Sequence, residues 1–450
     1  PRAAAVARRL DAGQKVERWL WRAGDLRLPL VARYRRLLEA GADDKRRWLL
    51  ARALDRSRSS EALPVLATLA EGSEPAGAWI ARAGMMRLAS PADREELAAQ
   101  ARRRLSSAVQ AAVNEPHDRR EQAVLDAITD SPHSLTDLYL MSEVHGWLRP
   151  VVLELARQLP LRPPAFRVLR RLLKAAEMLP DAELFGVLAH RIETTPPMYT
   201  SPYWGTQVYR PGMGRVSVSD PRLAFSSASK VWWRRRLWRT LRRLGEAGAH
   251  DEYTELATGL LLAVTDDDGR TPQVVTRYDY WQRKTVRVRA TAPFSHLWAL
   301  SHVLYADSPR FAPQKRSLTM PCAPSATADT PATGREEAFG AAWEAHPERL
   351  AQLLAASRCE PVHELAAGVL RALPERWSEV PTAELLRWFE APYDATRALA
   401  AELAVARYDP HDPDKSLVLA LLGCADAEAR ATARGWVEAN PTAFLADLDF

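Results

Sequence analysis

"EPVHELAAGVL" (360–370), "DATRALAAELA" (394–404) and "DAEARATARGW" (426–436) are three versions of one phrase, set 34 and 32 residues apart. Each opens on an acid and then alternates polar residues with alanine, leucine or valine at the spacing of one helix face. Two other echoes support the reading. "RWLLARAL" (47–54) and "AWIARAGM" (78–85) align with Trp48 and Trp79, 31 residues apart, and "WEAHPERL" (343–350) returns as "WVEANPTAF" (436–444) with one residue inserted. Periods near these values suit one helix pair per unit. A single pair cannot bury its apolar stripe, so such units must stack on neighbours.

The D/E-x-x-R/H-x-x-A segments resemble HEAT- or armadillo-type α-solenoids, in particular the degenerate alanine-rich versions found in bacteria. The resemblance spans residues 40–90 and 336–450, and extends over 91–195 by helical pattern. It implies a mainly all-α fold, a HEAT-like α-solenoid of helix pairs with a scaffold or binding habit, and it supplies no catalytic residue. Some HEAT-like solenoids are DNA glycosylases, which hold a damaged base with tryptophans and a carboxylate; no motif selects such residues here.

The middle of the chain breaks the pattern. Residues 195–222, "TPPMYTSPYWGTQVYRPGMGRVSVSDPR", carry five prolines and three glycines and read as a structured loop or small insertion. A basic helix follows, then a second helix near 250–264 and a turn at "TDDDGRT". "QVVTRYDYW" and "KTVRVRA" alternate with period 2 and predict a β-hairpin within 272–290. Residues 308–335 are rich in Pro, Ala, Ser and Thr and read as a linker or long mobile loop. The expected organisation is therefore 1–195 helical repeats, 196–307 an inserted basic module, 308–335 linker and 336–450 acidic repeats. The first residue is Pro1 and the last are "FLADLDF", which look like the opening of a helix, so the sequence reads as a piece of a longer protein.

Charge is unevenly spread. The net formal charge is +6 over the whole chain, +6 within 227–250 alone, +5 within 270–290 and −10 across 336–450. Localised charge speaks to partners rather than to fold. On a helical wheel, "SKVWWRRRLWRTLRRL" (229–244) places Trp233, Leu237, Leu241 and Leu244 on one stripe, a core face, with Gly245 as the expected stop. Arg235, Arg239, Arg242 and Arg243 fall opposite, with Trp232 among them and Trp238 at the border. One reading makes this face, together with Arg277, Lys284, Arg287 and Arg289 of the hairpin, a surface for DNA or RNA: arginines on phosphates and a ring for stacking. Arg287 and Arg289 would point outward if Val286 and Val288 point inward. The other reading pairs the arginines with acids of the chain, at Asp251, Glu252, Glu255, Asp266–Asp268 or the acidic C-terminal array, and leaves a purely protein-binding scaffold.

Composition narrows the class further. Apolar residues make up 47% of the 450, ordinary for a folded domain. Arginine far outnumbers lysine, which with the high alanine content fits a GC-rich bacterial genome. Cys322, Cys359 and Cys424 are odd in number and widely spaced, which argues against a disulfide framework or zinc site and fits a reducing cytoplasm. The longest apolar runs resemble "GLLLAV", too short to span a membrane, and no signal peptide is present. Walker, GxSxG and HExxH motifs are absent. "RPGMGRVSV" reads as a turn, "TDDDGRT" lacks EF-hand spacing, and His296 and His302, six apart, are spaced wrongly to share a metal. The expectation is a non-catalytic binding scaffold without cofactor or small-molecule substrate. Its partners would be nucleic acid or an acidic protein surface and other protein subunits within a larger assembly, with no membrane partner.

Overall fold

The computed structural model describes the chain except residues 1, 72–74, 200–205, 211, 219, 221–222, 282 and 446–450; it also leaves aside the side chains of 2, 25, 75–76, 277, 279, 284, 286–289, 377–379 and 445. The described residues form a mainly helical protein with 24 α-helices and two small antiparallel sheets. It divides into two compact units, Pro1–Glu252 and Tyr253–Phe450, a division that falls at neither end of the expected inserted module.

In the first unit, Asp44–Arg56 packs on Val16–Asp25 and on Pro75–Leu88, the helix aligned with it in sequence. Farther along, Leu148–Gln158 packs on Ala182–Thr194, which also packs on Ala165–Met178 and on Ser227–Ala247. The aligned tryptophans sit differently. Trp79 is buried and donates its Nε1–H to the Thr136 carbonyl at 3.0 Å, whereas half-buried Trp48 stacks on Trp21 at 5.4 Å. Charged groups are buried here in matched sets: Glu252 accepts from Arg56 Nη2 at 2.8 Å and from Arg27 Nε at 2.6 Å. Buried carboxylates of this kind are held because their lone pairs are occupied.

The repeats of the second unit are legible in its helices. Pro347–Ala356 packs on Glu360–Arg371, Thr382–Phe389 on Asp394–Ala406, and Lys415–Gly423 on Ala427–Ala439; like members of successive pairs also touch. The leading acid of each repeat lies at a helix start, where it favours the positive end of the dipole: Glu360 and Asp394 in the first turn, Asp426 as a cap accepting from the N–H groups of Glu428 and Ala429. Among the buried alanines of these helices, Ala366, Ala400 and Ala433 are each fully covered. They put the second repeat interval at 33 residues rather than the 32 that aligned the acids, because Asp426 stands one position outside its helix. The tryptophan echo has a structural counterpart. His346 and Asn440, each before a proline, share one conformation (φ −134°, ψ 60° and φ −135°, ψ 63°), and their N–H groups return to the carbonyls of Trp343 and Trp436. The inserted residue makes one closure i+3 and the other i+4.

Strands β1 (Gln207–Arg210) and β2 (Gly214–Ser217) form one hairpin, inside the stretch read as a structured loop or small insertion, and β3 (Gln273–Asp279) and β4 (Lys284–Thr291) form the other, where the period-2 pattern predicts it and one residue beyond. The β3–β4 pairing slips by one residue between Val275 and Thr276, a bulge that the period-2 pattern did not reveal.

Residues 308–335 are not a linker. Phe311, Met320, Cys322 and Ala326 are buried with Ala290 of β4 in a small core. Cys322 N–H donates to the Ala290 carbonyl at 2.9 Å and Met320 N–H to that of Ser295 at 2.8 Å. Arg310 anchors the loop, donating through Nε to Glu336 at 2.7 Å and through Nη1 to the Thr330 carbonyl at 2.6 Å. Composition suggested mobility because prolines and small residues dominate; a few well-placed apolar side chains and one ion pair are enough to fold it. "TDDDGRT" likewise does more than turn the chain: Asp266 accepts the Glu360 N–H at 2.8 Å and the Tyr393 hydroxyl at 2.9 Å, joining two repeats. His296 precedes helix Trp298–Tyr305, while His302 Nδ1 lies 2.9 Å from the Trp298 carbonyl.

Candidate nucleic-acid interface

Helix Ser227–Ala247 begins where the Ser226 hydroxyl accepts the Ser229 N–H at 3.2 Å. It passes through Gly245 and ends at Gly248, whose φ of 71° closes a left-handed turn with Ala249 N–H bonded back to the Leu244 carbonyl. The expected core stripe of Trp233, Leu237, Leu241 and Leu244 is buried.

The arginines divide. Arg234 is buried and donates through Nε to Glu193 at 2.6 Å. Arg236 donates to both oxygens of Glu177 at 3.0 and 2.9 Å, and Thr240 adds its hydroxyl to the same carboxylate. These acids come from Ala165–Met178 and Ala182–Thr194, not from the positions expected to pair with the helix: Glu252 is held by Arg27 and Arg56, and Glu255 by Arg349. Arg243, expected outside, lies with its guanidinium 4.0 Å from the Trp21 ring centre, so that Arg243, Trp21 and Trp48 form a layered contact joining three helices. Arg235 is half-buried.

What remains outward is a narrower strip. Trp232 is 45% exposed and meets Trp233 edge-on at 4.7 Å. Arg239 is exposed with no carboxylate partner among the described residues, and exposed Arg242 pairs with Glu246 at 2.7 Å while lying 5.4 Å from the Trp238 ring.

The β3–β4 hairpin is a different surface. Nine large hydrophobic side chains are exposed among the described residues, and five of them (Val274, Val275, Tyr278, Tyr280 and Trp281) lie within eight positions of this hairpin. Tyr280 is 83% and Trp281 98% exposed at its tip, and Tyr278 meets Tyr280 edge-on at 5.1 Å. Apolar exposure concentrated in this way marks an interaction surface. The side chains of Arg277, Lys284, Arg287 and Arg289, and of Val286 and Val288, lie outside the described ones; the backbone register sets Arg277 opposite Val286 and Thr276 opposite Arg287. Arg283 holds the turn at a positive φ of 47°. The helix belongs to the first unit and the hairpin to the second. Reasoning from charge alone passed over the aromatics; the signal was available in "YDYW" (278–281), where three rings close the first strand of the predicted hairpin.

Among the described residues no group of three or more His, Cys, Asp or Glu side chains is placed to hold a metal, and no helix is long and apolar enough to cross a membrane. Cys322 and Cys359 are buried and form no disulfide, and burial pushes the Cys359 thiol up to about 12, far from a reactive thiolate. No family model, curated protein or solved structure matches the chain.

Proposed function

We propose that this chain is a non-catalytic scaffold of stacked helix pairs, HEAT-like in character, that binds single-stranded nucleic acid through the β3–β4 hairpin. The observation that carries this reading is the pairing of exposed rings with net positive charge: Tyr278, Tyr280 and Trp281 are exposed within a stretch whose net formal charge is +5. Rings of this kind stack on any base while cations track the phosphates, the chemistry of sequence-tolerant strand binding. The outward strip of the basic helix, Trp232, Arg239 and Arg242, would form a second and weaker contact. The paired-helix contacts of 347–439 speak for the solenoid architecture, in which stacked units present an extended surface.

The test is titration of a fluorescent oligonucleotide, single- and double-stranded, into the full chain at low salt, with tryptophan quenching compared between wild type and Trp281→Phe in parallel. Tight single-strand binding with quenching is expected. Absence of binding to both forms would end the reading and leave an acidic protein surface as the partner. That second reading is favoured by the exposed Val274 and Val275, which base stacking does not need. Incubation with alkylated DNA at stoichiometric concentration should release no base; a burst of excised base would make the chain a glycosylase.

A further inference from the structure

In the first unit, a cavity of about 630 Å³ opens between the start of helix Ala165–Met178 and the β1–β2 hairpin. Arg162, Arg167, Arg170 and Arg210 line it, and Phe166 and Tyr199 contribute rings. Its volume is in the range of small-molecule sites. Two of the stretches that build it are free of carboxylates: no Asp or Glu occurs from 155 to 176 or from 194 to 219, against six basic residues in the first and two in the second; Leu223 and Ala224 complete the wall, and the acid nearest them in sequence, Asp220, is not among the lining residues. Among the described residues none of the four arginines forms an ion pair with an acid. This contrasts with Arg234 and Arg236 of the same unit, each of which is neutralised by a buried glutamate.

Arg210 points the same way independently. Its Nε is buried and has no hydrogen-bond partner among the described residues, while its guanidinium lies 4.5 Å from the Tyr199 ring centre. A buried donor left without an acceptor is costly, and a bound anion would supply one. Arg170 lies 5.7 Å from the Phe166 ring. Partial burial and the neighbouring charges of Arg171 and Arg167 lower its pKa, the mark of cations crowded together without an anion. Guanidinium forks match phosphate oxygens in geometry as well as charge. The apolar remainder of the wall, with two rings and the side chains of Met198 and Leu223, asks for a ligand with a flat apolar body.

We propose that this cavity binds a nucleoside di- or triphosphate, its phosphates held by Arg162, Arg167, Arg170 and Arg210 and its base lodged against the apolar wall beside Tyr199. The site does not depend on the nucleic-acid reading of the β3–β4 hairpin. Calorimetric titration of the full chain with ADP, inorganic pyrophosphate and adenosine tests it. ADP should bind at least tenfold more tightly than pyrophosphate and far more tightly than adenosine. Arg167→Gln with Arg170→Gln should weaken ADP and pyrophosphate at least tenfold, and Arg162→Gln, at an exposed position before the helix, should weaken both without disturbing the melting temperature. Tyr199→Ala should weaken ADP and spare pyrophosphate. Failure of wild-type protein to bind either phosphate at millimolar concentration, or binding indifferent to the Arg162→Gln change, overturns the site; ADP no tighter than pyrophosphate overturns its nucleoside half. An oligonucleotide that displaces ADP would assign the phosphates to a strand instead, whereas ADP retained beside a bound oligonucleotide supports a separate nucleotide site.

Discussion

Two regions of this protein carry nearly the same excess of positive charge and use it in opposite ways. In helix Ser227–Ala247 much of the charge turns inward: Arg234 and Arg236 satisfy Glu193 and Glu177, and Arg243 covers Trp21. In the β3–β4 hairpin the rings that accompany the charge face solvent, Trp281 almost completely. The density of arginine and tryptophan therefore says little by itself. What separates the two is the neighbourhood: a helix packed on helices has carboxylates within reach on adjacent faces, while a two-stranded ribbon has few neighbours and leaves much of its surface uncovered.

The sharpest break in that comparison would come from removing an inward partner. Glu193 is buried, and its carboxylate meets Arg234 at 2.6 Å. Glu193→Ala removes a carboxylate partner from a buried guanidinium and should destabilise the first unit by about 3–5 kcal/mol in chemical denaturation. A loss below about 1 kcal/mol would show that Arg234 can reach water, and the inward reading of the helix would fail.

On the outward side, Tyr280→Ala and Trp281→Ala should leave the denaturation midpoint nearly unchanged, since neither ring is packed in a core. Each should weaken single-strand binding by about 1–3 kcal/mol, the range for one lost stacking partner. If both variants bind as wild type does, the hairpin is not the stacking platform, whatever its charge contributes.

A smaller effect concerns the acidic second unit. His363 is buried between repeats, with Nε2 3.1 Å from the Ser357 carbonyl and Nδ1 2.7 Å from the Thr396 hydroxyl. A carbonyl only accepts, so Nε2 carries the proton, Nδ1 accepts from Thr396, and the ring is neutral. Burial lowers its pKa below the ordinary 6.5. The unfolded chain then binds the proton first as pH falls, so stability should be full above about 6.5 and decline below it, by at most ~1.4 kcal/mol per pH unit from this group. His363→Gln can keep both hydrogen bonds and should flatten the decline between pH 6.5 and 5; an unchanged slope would place the titrating group elsewhere.

These contrasts also mark what was legible beforehand. The repeated phrases at 360 and 394 fall on helix starts, and the stripe from Trp233 to Leu244 is core, because periodicity reports directly on which side chains share a face. The partners of the arginines were hidden because pairing across helices joins positions 41 and 59 residues apart, a distance that charge counting along the chain cannot resolve. The packed loop at 308–335 was hidden for a related reason. Its core uses Phe311, Met320 and Cys322 at no regular spacing, and so leaves no period to find. The stop at Gly248 instead of Gly245 turned on which glycine could close a left-handed turn, a choice settled by the carbonyl of Leu244.

The finest test asks whether the outward strip of the basic helix does anything beyond staying soluble. Arg239 has no acid partner among the described residues, and Arg242 pairs only with Glu246 one turn along, an exposed i,i+4 contact contributing about 0.3–0.5 kcal/mol. Arg239→Gln and Arg242→Gln should therefore scarcely move the melting temperature, in contrast to any change at Glu193. If these guanidiniums contact phosphates, each substitution should remove about 0.7 from the slope of log K against log salt for a single strand. The slope, rather than the affinity, is the quantity to read, because it counts ionic contacts and is insensitive to stacking at the hairpin. Two variants that bind with the wild-type slope would assign the whole of helix Ser227–Ala247 to holding the chain together, and would leave the rings and cations of the β3–β4 hairpin to hold the partner alone.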